Sequence, residues 1–334
     1  MHSVRKRKPF TAFLLAATAV AIGILVLLEV LSSGTPLSRE VCAYTAHEIS
    51  ALRQFDTLVH RDIGCAEVFN DTAADWPSWE RPWFLNDGNP NQAWARWATS
   101  HQSHRQLVIT QALFPKAVAG TDWLGAGAKG AFAAHARALA RNLVGAGLGH
   151  AIIRLAPEAN GTWQPYSLPA TAEGQLLWRR FWRNTVLAMR SVAGAHFLFD
   201  WCVNAAIRPI PLRGFYPGDD VVDIVGVDVY DFSPMIGRAG WLRSKDGPDG
   251  VGQVAAFAKA HDKPLSIPEW GLSARSGTDD PAFVDGIAEV VRTNRVAYQG
   301  YFFAHDSATQ LLRAPRSLGA YRRHFGDGGD SVRH

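Results

Sequence analysis

The chain is predicted to be an α/β protein folded as a (β/α)8 TIM barrel behind an N-terminal apolar segment. Three observations carry that expectation. Short apolar runs alternate with stretches of helical periodicity, the pattern of parallel strands joined by crossover helices. About 300 of the 334 residues follow the apolar segment, the size of one large barrel with insertions. Two of the runs carry a glutamate at their end, followed at once by turn residues, where a parallel barrel displays its reactive groups. Alternation alone would suit a doubly wound open sheet equally well.

Taken in order, Arg5, Lys6, Arg7 and Lys8 precede Phe10–Leu28, a stretch of 19 residues without charge. At about 1.5 Å per residue it is long enough to span a bilayer. Residues 1–33 therefore read as a signal anchor, or as a signal peptide if they are cut near Ser32-Ser-Gly34. Positive charge ahead of the span puts the body outside the cytoplasm, tethered to the membrane through residues 10–28. Residues 34–55 read as a linker or N-terminal extension with a short helix, and 56–328 as the barrel. Strands are expected at Ile63–Phe69, Arg81–Leu85, Gln106–Gln111, Gly149–Leu155, Ala195–Cys202, Val221–Val229, Pro264–Ile267 and Val296–Phe303. Helices are expected at Asn91–His101, Gly127–Val144, Ala172–Val192, Gly252–His261, Ala282–Thr293 and Ser317–His324. Counted this way, Glu158 follows the fourth strand and Glu269 the seventh.

Composition narrows the function classes. Apolar residues make up 47% and charged residues 19%, enough for a core and without a signature of disorder. The first 33 residues account for +3 of the net charge of +4, from four basic residues against Glu29. The nearly neutral body has no electrostatic footprint for nucleic acid. Of three cysteines, Cys42 and Cys65 could pair in an exported protein and pin the N-terminal extension to the barrel. Cys202 reads as a buried free thiol. His101 and His104 suit a solvated segment better than a metal site. Gly125–Gly130 matches GxGxxG without the strand before it or the acidic residue after it that dinucleotide binding needs. No metal or cofactor is expected.

The chemistry is concentrated in Arg154-Leu-Ala-Pro-Glu158-Ala-Asn160-Gly-Thr-Trp163 and Ile267-Pro-Glu269-Trp270-Gly271. The two glutamates lie 111 positions apart (269 minus 158), so only folding brings them together. Two carboxyls facing one another across a pocket are the minimum for cleaving a glycosidic bond. Arg154 shares strand parity with Glu158 and should enter the lumen, where a cation needs a carboxylate partner. Tyr230 shares parity with Gly226 and Asp228, and its hydroxyl could donate to a carboxylate at that height. Trp163, Trp201 and Trp270 sit at strand ends near the glutamates and are candidate sugar platforms. Trp178 with Trp182, and Trp94 with Trp97, read as core. Asn160-Gly-Thr162 matches a glycosylation sequon, but it falls in the expected site loop and reads as coincidence.

Together, Arg154-x-x-x-Glu158-x-Asn160-Gly161-x-Trp163, Tyr216-Pro-Gly-Asp-Asp220-x-x-Asp223, Gly226-x-Asp228-x-Tyr230 and Pro268-Glu269-Trp-Gly271 resemble glycoside hydrolase family 26. That family comprises clan A (β/α)8 β-mannanases and related endo-β-glycanases. The resemblance is strongest over residues 150–305. It implies a retaining endo-β-glycosidase acting on a polysaccharide, with β-mannan first and β-glucan second as substrate. By resemblance Glu158 is the acid/base and Glu269 the nucleophile, with their carboxyls about 5–5.5 Å apart. Tyr230 holds the nucleophile, Arg154 fixes the constellation, and Asn160 and Trp163 line the sugar site. Two departures stand out. Pro157 occupies the place of a histidine common before the acid/base, and Phe302-Phe-Ala-His305 replaces a tryptophan near the end of strand eight, which makes His305 and Phe303 candidate substitutes. A transglycosylase, a polysaccharide-processing accessory and a non-catalytic carbohydrate-binding barrel are the alternatives.

Overall fold

The computed structural model describes residues 40–100, 105–205, 211–231, 236–248, 250–272, 279–303 and 311–327. The expected span at 10–28 lies outside them, and among the described residues no helix is long and apolar enough to cross a membrane. Eight parallel strands close in sequence order into a barrel: β1 (Glu40–Tyr44), β2 (Cys65–Asn70), β3 (Gln106–Gln111), β4 (Ile152–Leu155), β5 (Leu198–Asn204), β6 (Ile224–Asp231), β7 (Leu265–Leu272) and β8 (Val296–Phe302). The numbering of the fourth and seventh strands is as expected.

The start of the barrel is not. The first strand is Glu40–Tyr44, inside the segment read as a linker, and Ile63–Phe69 contains the second. Five residues suffice because β1 pairs on both sides, with β2 and with β8, and so closes the sheet. Arg81–Leu85 is no strand. Pro82 has no N–H to give a ladder, and Trp83–Leu85 forms a single 3-10 turn whose Trp83 indole donates to the carbonyl of Phe69 at 3.0 Å.

The disulfide forms between Cys42 and Cys65, which are register partners on β1 and β2. It therefore ties two staves of the barrel rather than an extension to it. Both cysteines are buried in the lumen floor with Val108, Ile152, Ile224, Ala297 and Tyr298. The bridge closes a span of 23 residues, worth about 3 kcal/mol by the chain-entropy argument. Replacing both cysteines by alanine should lower the unfolding free energy by about that amount, read from denaturant unfolding; an unchanged midpoint would show the bridge to be dispensable.

Outward-facing strand residues pack under amphipathic helices, chiefly Ala133–Gly145, Ala172–Arg190, Val251–Ala260, Pro281–Thr293 and Pro315–Phe325. Trp178 and Trp182 are fully buried and donate to the carbonyls of Tyr166 and Leu155, at 2.9 and 3.0 Å. Below the site the lumen is polar: Asp200 accepts from Ser266 at 2.6 Å and from Tyr298 at 2.5 Å. The Tyr216–Asp223 turn, one of the motifs of the resemblance, precedes β6 and lies at the end of the barrel away from Glu158. Arg183 holds Asp220 through both guanidinium nitrogens at 2.6 and 2.8 Å, and Arg190 holds Asp223 at 2.7 Å. That motif anchors a turn to a helix and takes no part in the site.

Candidate active site

Glu269 reaches the lumen through an irregularity in its strand. Between Gly226↔Ser266 and Val229↔Trp270, β7 holds one residue more than β6, and it also gains one on β8 between Ile267↔Gln299 and Trp270↔Tyr301. Pro268, which cannot donate to a ladder, sits in this bulge. Gly300 leaves room for it: a Cβ there would lie 2.3 Å from the Pro268 carbonyl oxygen. The Glu269 N–H, displaced from the ladder, donates instead to Asp228 Oδ1 at 3.0 Å. The extra residue reverses the alternation, so Ser266 and Glu269 both point inward and Trp270 points out.

Glu158 arrives by a different route. Strand β4 stops at Leu155, and Ala156 and Glu158 take left-handed φ values of 49° and 54°. Non-glycine residues in that region cost on the order of 1–3 kcal/mol each. The turn is held by Ala156 N–H to Gln111 O at 2.8 Å and Glu158 N–H to Cys202 O at 3.0 Å. Asn160 then clamps the loop to β5, its Nδ2 donating to the Asn204 carbonyl at 2.8 Å and its Oδ1 accepting from the Asn204 N–H at 2.9 Å. Its side chain is thus consumed and buried, and neither lines a sugar site nor serves as a glycosylation acceptor.

Arg154 is the centre of the site. Its buried guanidinium donates to Glu67 at 2.9 Å and to Thr110 at 3.1 Å, and it hydrogen-bonds Glu269 Oε1 and Asp228 Oδ2. Three carboxylates thus share one cation. Burial pushes Glu67 up to about 7 against the pull of Arg154, and holds Asp228 well above the carboxylate range. Glu269, 9% exposed, also accepts from the Tyr230 hydroxyl on Oε2 at 2.8 Å. The expected partners of Arg154 and Tyr230 are therefore in place.

Glu158 sits at the mouth, accepting from the Trp163 indole at 3.0 Å and from Asn204 Nδ2. Its pKa is raised, first by burial and then by the charge of Glu269; Arg154, Asn204 and Trp163 oppose the rise. The two glutamates therefore share one electrostatic site. Trp163, 48% exposed, presents an open ring beside Glu158.

Two expected platforms are misplaced. Trp201 is 1% exposed and packs outward on Phe215, Tyr216 and Phe257, because Asp200, Cys202 and Asn204 take the inward parity of β5. Trp270 is fully buried among Tyr301, Tyr321 and Phe283, turned out by the bulge. Both are core. His305 lies outside the described residues, as do His101 and His104. Phe303 packs on Phe55 beneath a helix, whereas Phe302 stacks on Tyr44 at 4.4 Å and meets Tyr230 edge-on at 5.9 Å. Glu67, Thr110 and Asn204 were not anticipated. Each is a polar residue at inward parity in an apolar run, and that was the available signal. Among the described residues no group of three metal-ligating side chains could hold an ion, and Cys202 is free and buried.

Residues 70–262 match the family described as glycosyl hydrolase family 26. The chain belongs to that family. A β-1,3-xylanase from Alcaligenes sp is 29% identical to this family 26 chain over 138 residues, 39% of the chain and 26% of the xylanase. The chain spans about a quarter of the length of that curated relative. Two solved family 26 structures are similar to it. The β-mannanase BoMan26A of Bacteroides ovatus superposes with a TM-score of 0.58 at 16% identity, covering 88% of this chain and 93% of that one. The catalytic domain of the endo-β-1,4-mannanase of Bacillus sp. JAMB-750 does so with a TM-score of 0.60 at 18% identity, covering 87% and 88%. At such identities the likeness establishes the barrel fold.

Proposed function

We propose that the protein is a retaining endo-β-glycosidase, with Glu269 as nucleophile, Glu158 as acid/base and a β-mannan as first substrate. One contrast carries the reading. Both oxygens of Glu269 face donors, the Arg154 guanidinium and the Tyr230 phenol, which fix it as an acceptor ready to attack. The pKa of Glu158 is raised, as suits a carboxyl that must deliver a proton. Glu269 attacks the anomeric carbon while Glu158 protonates the departing glycosidic oxygen. Water, deprotonated by Glu158, then displaces Glu269 and restores both groups. Trp163 offers its open ring to the flat face of a sugar next to Glu158.

Mannan stands first because the similar solved structures are described as mannanases, and β-glucan stands second. The name of the curated relative adds β-1,3-xylan to the polymers worth testing. Incubating the enzyme with mannan, mixed-linkage glucan and β-1,3-xylan should release new reducing ends, at internal positions, from one of them. Release from none would remove the hydrolase reading. Removing a donor that favours the ionised form of Glu158, as in Asn204→Ala, should raise its pKa further. The alkaline limb of kcat/KM should then move to higher pH, with a loss of about tenfold at the optimum from poorer positioning. A limb that moves down, or stays, would separate Asn204 from the acid/base.

The site of action is outside the cytoplasm, with the barrel tethered through residues 10–28. The basic residues before that apolar stretch and the Cys42–Cys65 bridge both suit export to an oxidising compartment. Fractionation of the full-length chain into membrane and soluble pools tests the tether.

A further inference from the structure

The turn after β1 is strained. Ala46 and His47 follow one another with left-handed φ values of 50° and 67°, a conformation costly for residues other than glycine. The same device carries Glu158 off the end of β4. Here it carries an imidazole. Strand β1 pairs with β2 only as far as Tyr44↔Glu67, so the backbone of Phe69, two residues on, meets side chains in place of a strand. Its N–H donates to His47 Nε2 at 3.3 Å, and its carbonyl accepts from the Trp83 indole. Both rings are thereby pinned to the top of β2.

The first of those bonds fixes the state of His47. A backbone N–H can only donate, so Nε2 is the bare nitrogen and the neutral ring carries its proton on Nδ1. Burial agrees, lowering its pKa to about 4. Among the described residues no acceptor meets Nδ1–H, and the nitrogen is not sealed from solvent. Tyr44, Trp83 and Phe69 surround the imidazole, with ring centres at 5.1, 4.8 and 6.0 Å. Tyr44 and Phe69 share the inward parity of Cys42 and Glu67, so they cap the lumen. Half-buried there, they meet solvent only through the mouth. An open donor among aromatic walls is the makeup of a ligand site.

The corner joins the reacting centre by contact. Tyr44 stacks on Phe302 at 4.4 Å, Phe302 meets Tyr230 at 5.9 Å, and Tyr230 holds Glu269 through its hydroxyl at 2.8 Å. None of these rings belongs to the loop after β4, which carries Glu158 and Trp163. With the leaving group beside that loop, the row of rings lies with the part of the substrate that stays on Glu269. Resting on the retaining reading above, we infer that His47, Tyr44, Phe69 and Trp83 form a subsite for the sugar unit next to the attacked one, on its glycone side. Nδ1–H donates to a hydroxyl of that unit, and the rings face its C–H surface. The ligand is a neutral saccharide, since the corner offers an uncharged donor and aromatic rings.

The test uses aryl glycosides bearing one to four sugar units of whichever polymer the enzyme depolymerises, with wild type, His47→Gln and Trp83→Leu in the full chain. Glutamine keeps an acceptor in reach of the Phe69 N–H and puts no donor where Nδ1 stood. The kcat/KM of wild type should rise on adding the second unit, and in each variant that rise should shrink by about fivefold. Equal losses on one-unit and two-unit substrates, or an undiminished rise, would overturn the subsite. A spectroscopic arm needs no variant. In wild type at neutral pH the imidazole nitrogen resonances of His47 should show the Nδ1-protonated tautomer, with Nδ1 moving as the disaccharide of the same polymer is added. A ring protonated on Nε2, or an Nδ1 signal unmoved at saturation, would overturn it too. Failure of the retaining mechanism reads differently: the one-unit aryl glycoside would then turn over without dependence on Glu269.

Discussion

Glu269→Ala should reduce turnover of an unactivated polysaccharide by at least about 10⁴-fold, roughly 5 kcal/mol of barrier at about 1.36 kcal/mol per tenfold. In the proposed mechanism no covalent intermediate forms without it, and no other carboxylate is placed to substitute. Asp228 is bound to Arg154 and to the Glu269 N–H, and Glu67 lies deeper, fully buried against Thr110. Alanine leaves a gap where the carboxylate stood, and azide can enter it. On an aryl glycoside whose leaving group needs no proton, azide should attack the anomeric carbon from that face as the aryloxide departs. The product is a glycosyl azide of inverted configuration.

Glu158→Ala should behave differently in the same assay. It should lose about 10²–10⁴-fold on substrates with poor leaving groups and far less on activated ones, because only protonation is missing from the first step. The glycosyl–Glu269 ester then accumulates, and azide displacing it gives a glycosyl azide of retained configuration. Opposite product configurations assign the two roles independently of rate. Exchanged configurations would exchange the roles, and full polysaccharide activity in either variant would remove it from the mechanism.

Strand parity explains which parts of this site were legible beforehand and which were not. Arg154 and Tyr230 point where alternation puts them, because β4 is regular to Leu155 and the offset in β6 pairing comes from the extra residue in β7. Trp201 was readable by the same rule and belongs outside, one residue from the inward Cys202; nearness in sequence to a strand end does not set direction. Trp270 could not be read that way, since the bulge at Pro268 reverses the phase, and only the pairing of β7 with both neighbours reveals it. Glu158 reached the pocket through two left-handed residues, so parity gave a correct placement for an incorrect reason. The strand β1 was hidden by its length: five residues beside a polar stretch make no periodic signal, and their strand character comes from β2 and β8. Glu67 lay in plain view as the one charge in Cys-Ala-Glu-Val-Phe-Asn, a polar residue in a short apolar run with no local reason to be there.

Arg154→Met should be among the most destabilising single changes in the barrel, about 3–5 kcal/mol, because it leaves Glu67, Asp228 and Glu269 around a site with no cation. Methionine fills most of the volume, so the loss measures charge rather than cavity. The pH dependence gives the sign. Glu67 already stands at about 7 in the fold, above the ordinary carboxyl value of about 4.3, and removing the guanidinium raises it further. A carboxyl raised on folding contributes stability that is fully present below its unfolded pKa and is lost as pH climbs through the folded one. Between about 4.3 and 7 Glu67 is protonated in both folded proteins, and both lose stability alike. The deficit of the variant against wild type should therefore change little up to about pH 7 and grow as pH climbs past it, being larger at pH 8 than at pH 4.5. Urea unfolding of both proteins at pH 4.5 and 8 measures it. Activity should fall as well, since Glu269 loses the donor on Oε1 that aims it, and the loss should appear in kcat more than in KM because the guanidinium acts on the substrate only through the nucleophile. A deficit that is the same at both pH values, or larger in acid, would mean that Glu67 does not depend on Arg154 for its charge, and the electrostatic account of this lumen would fail with it.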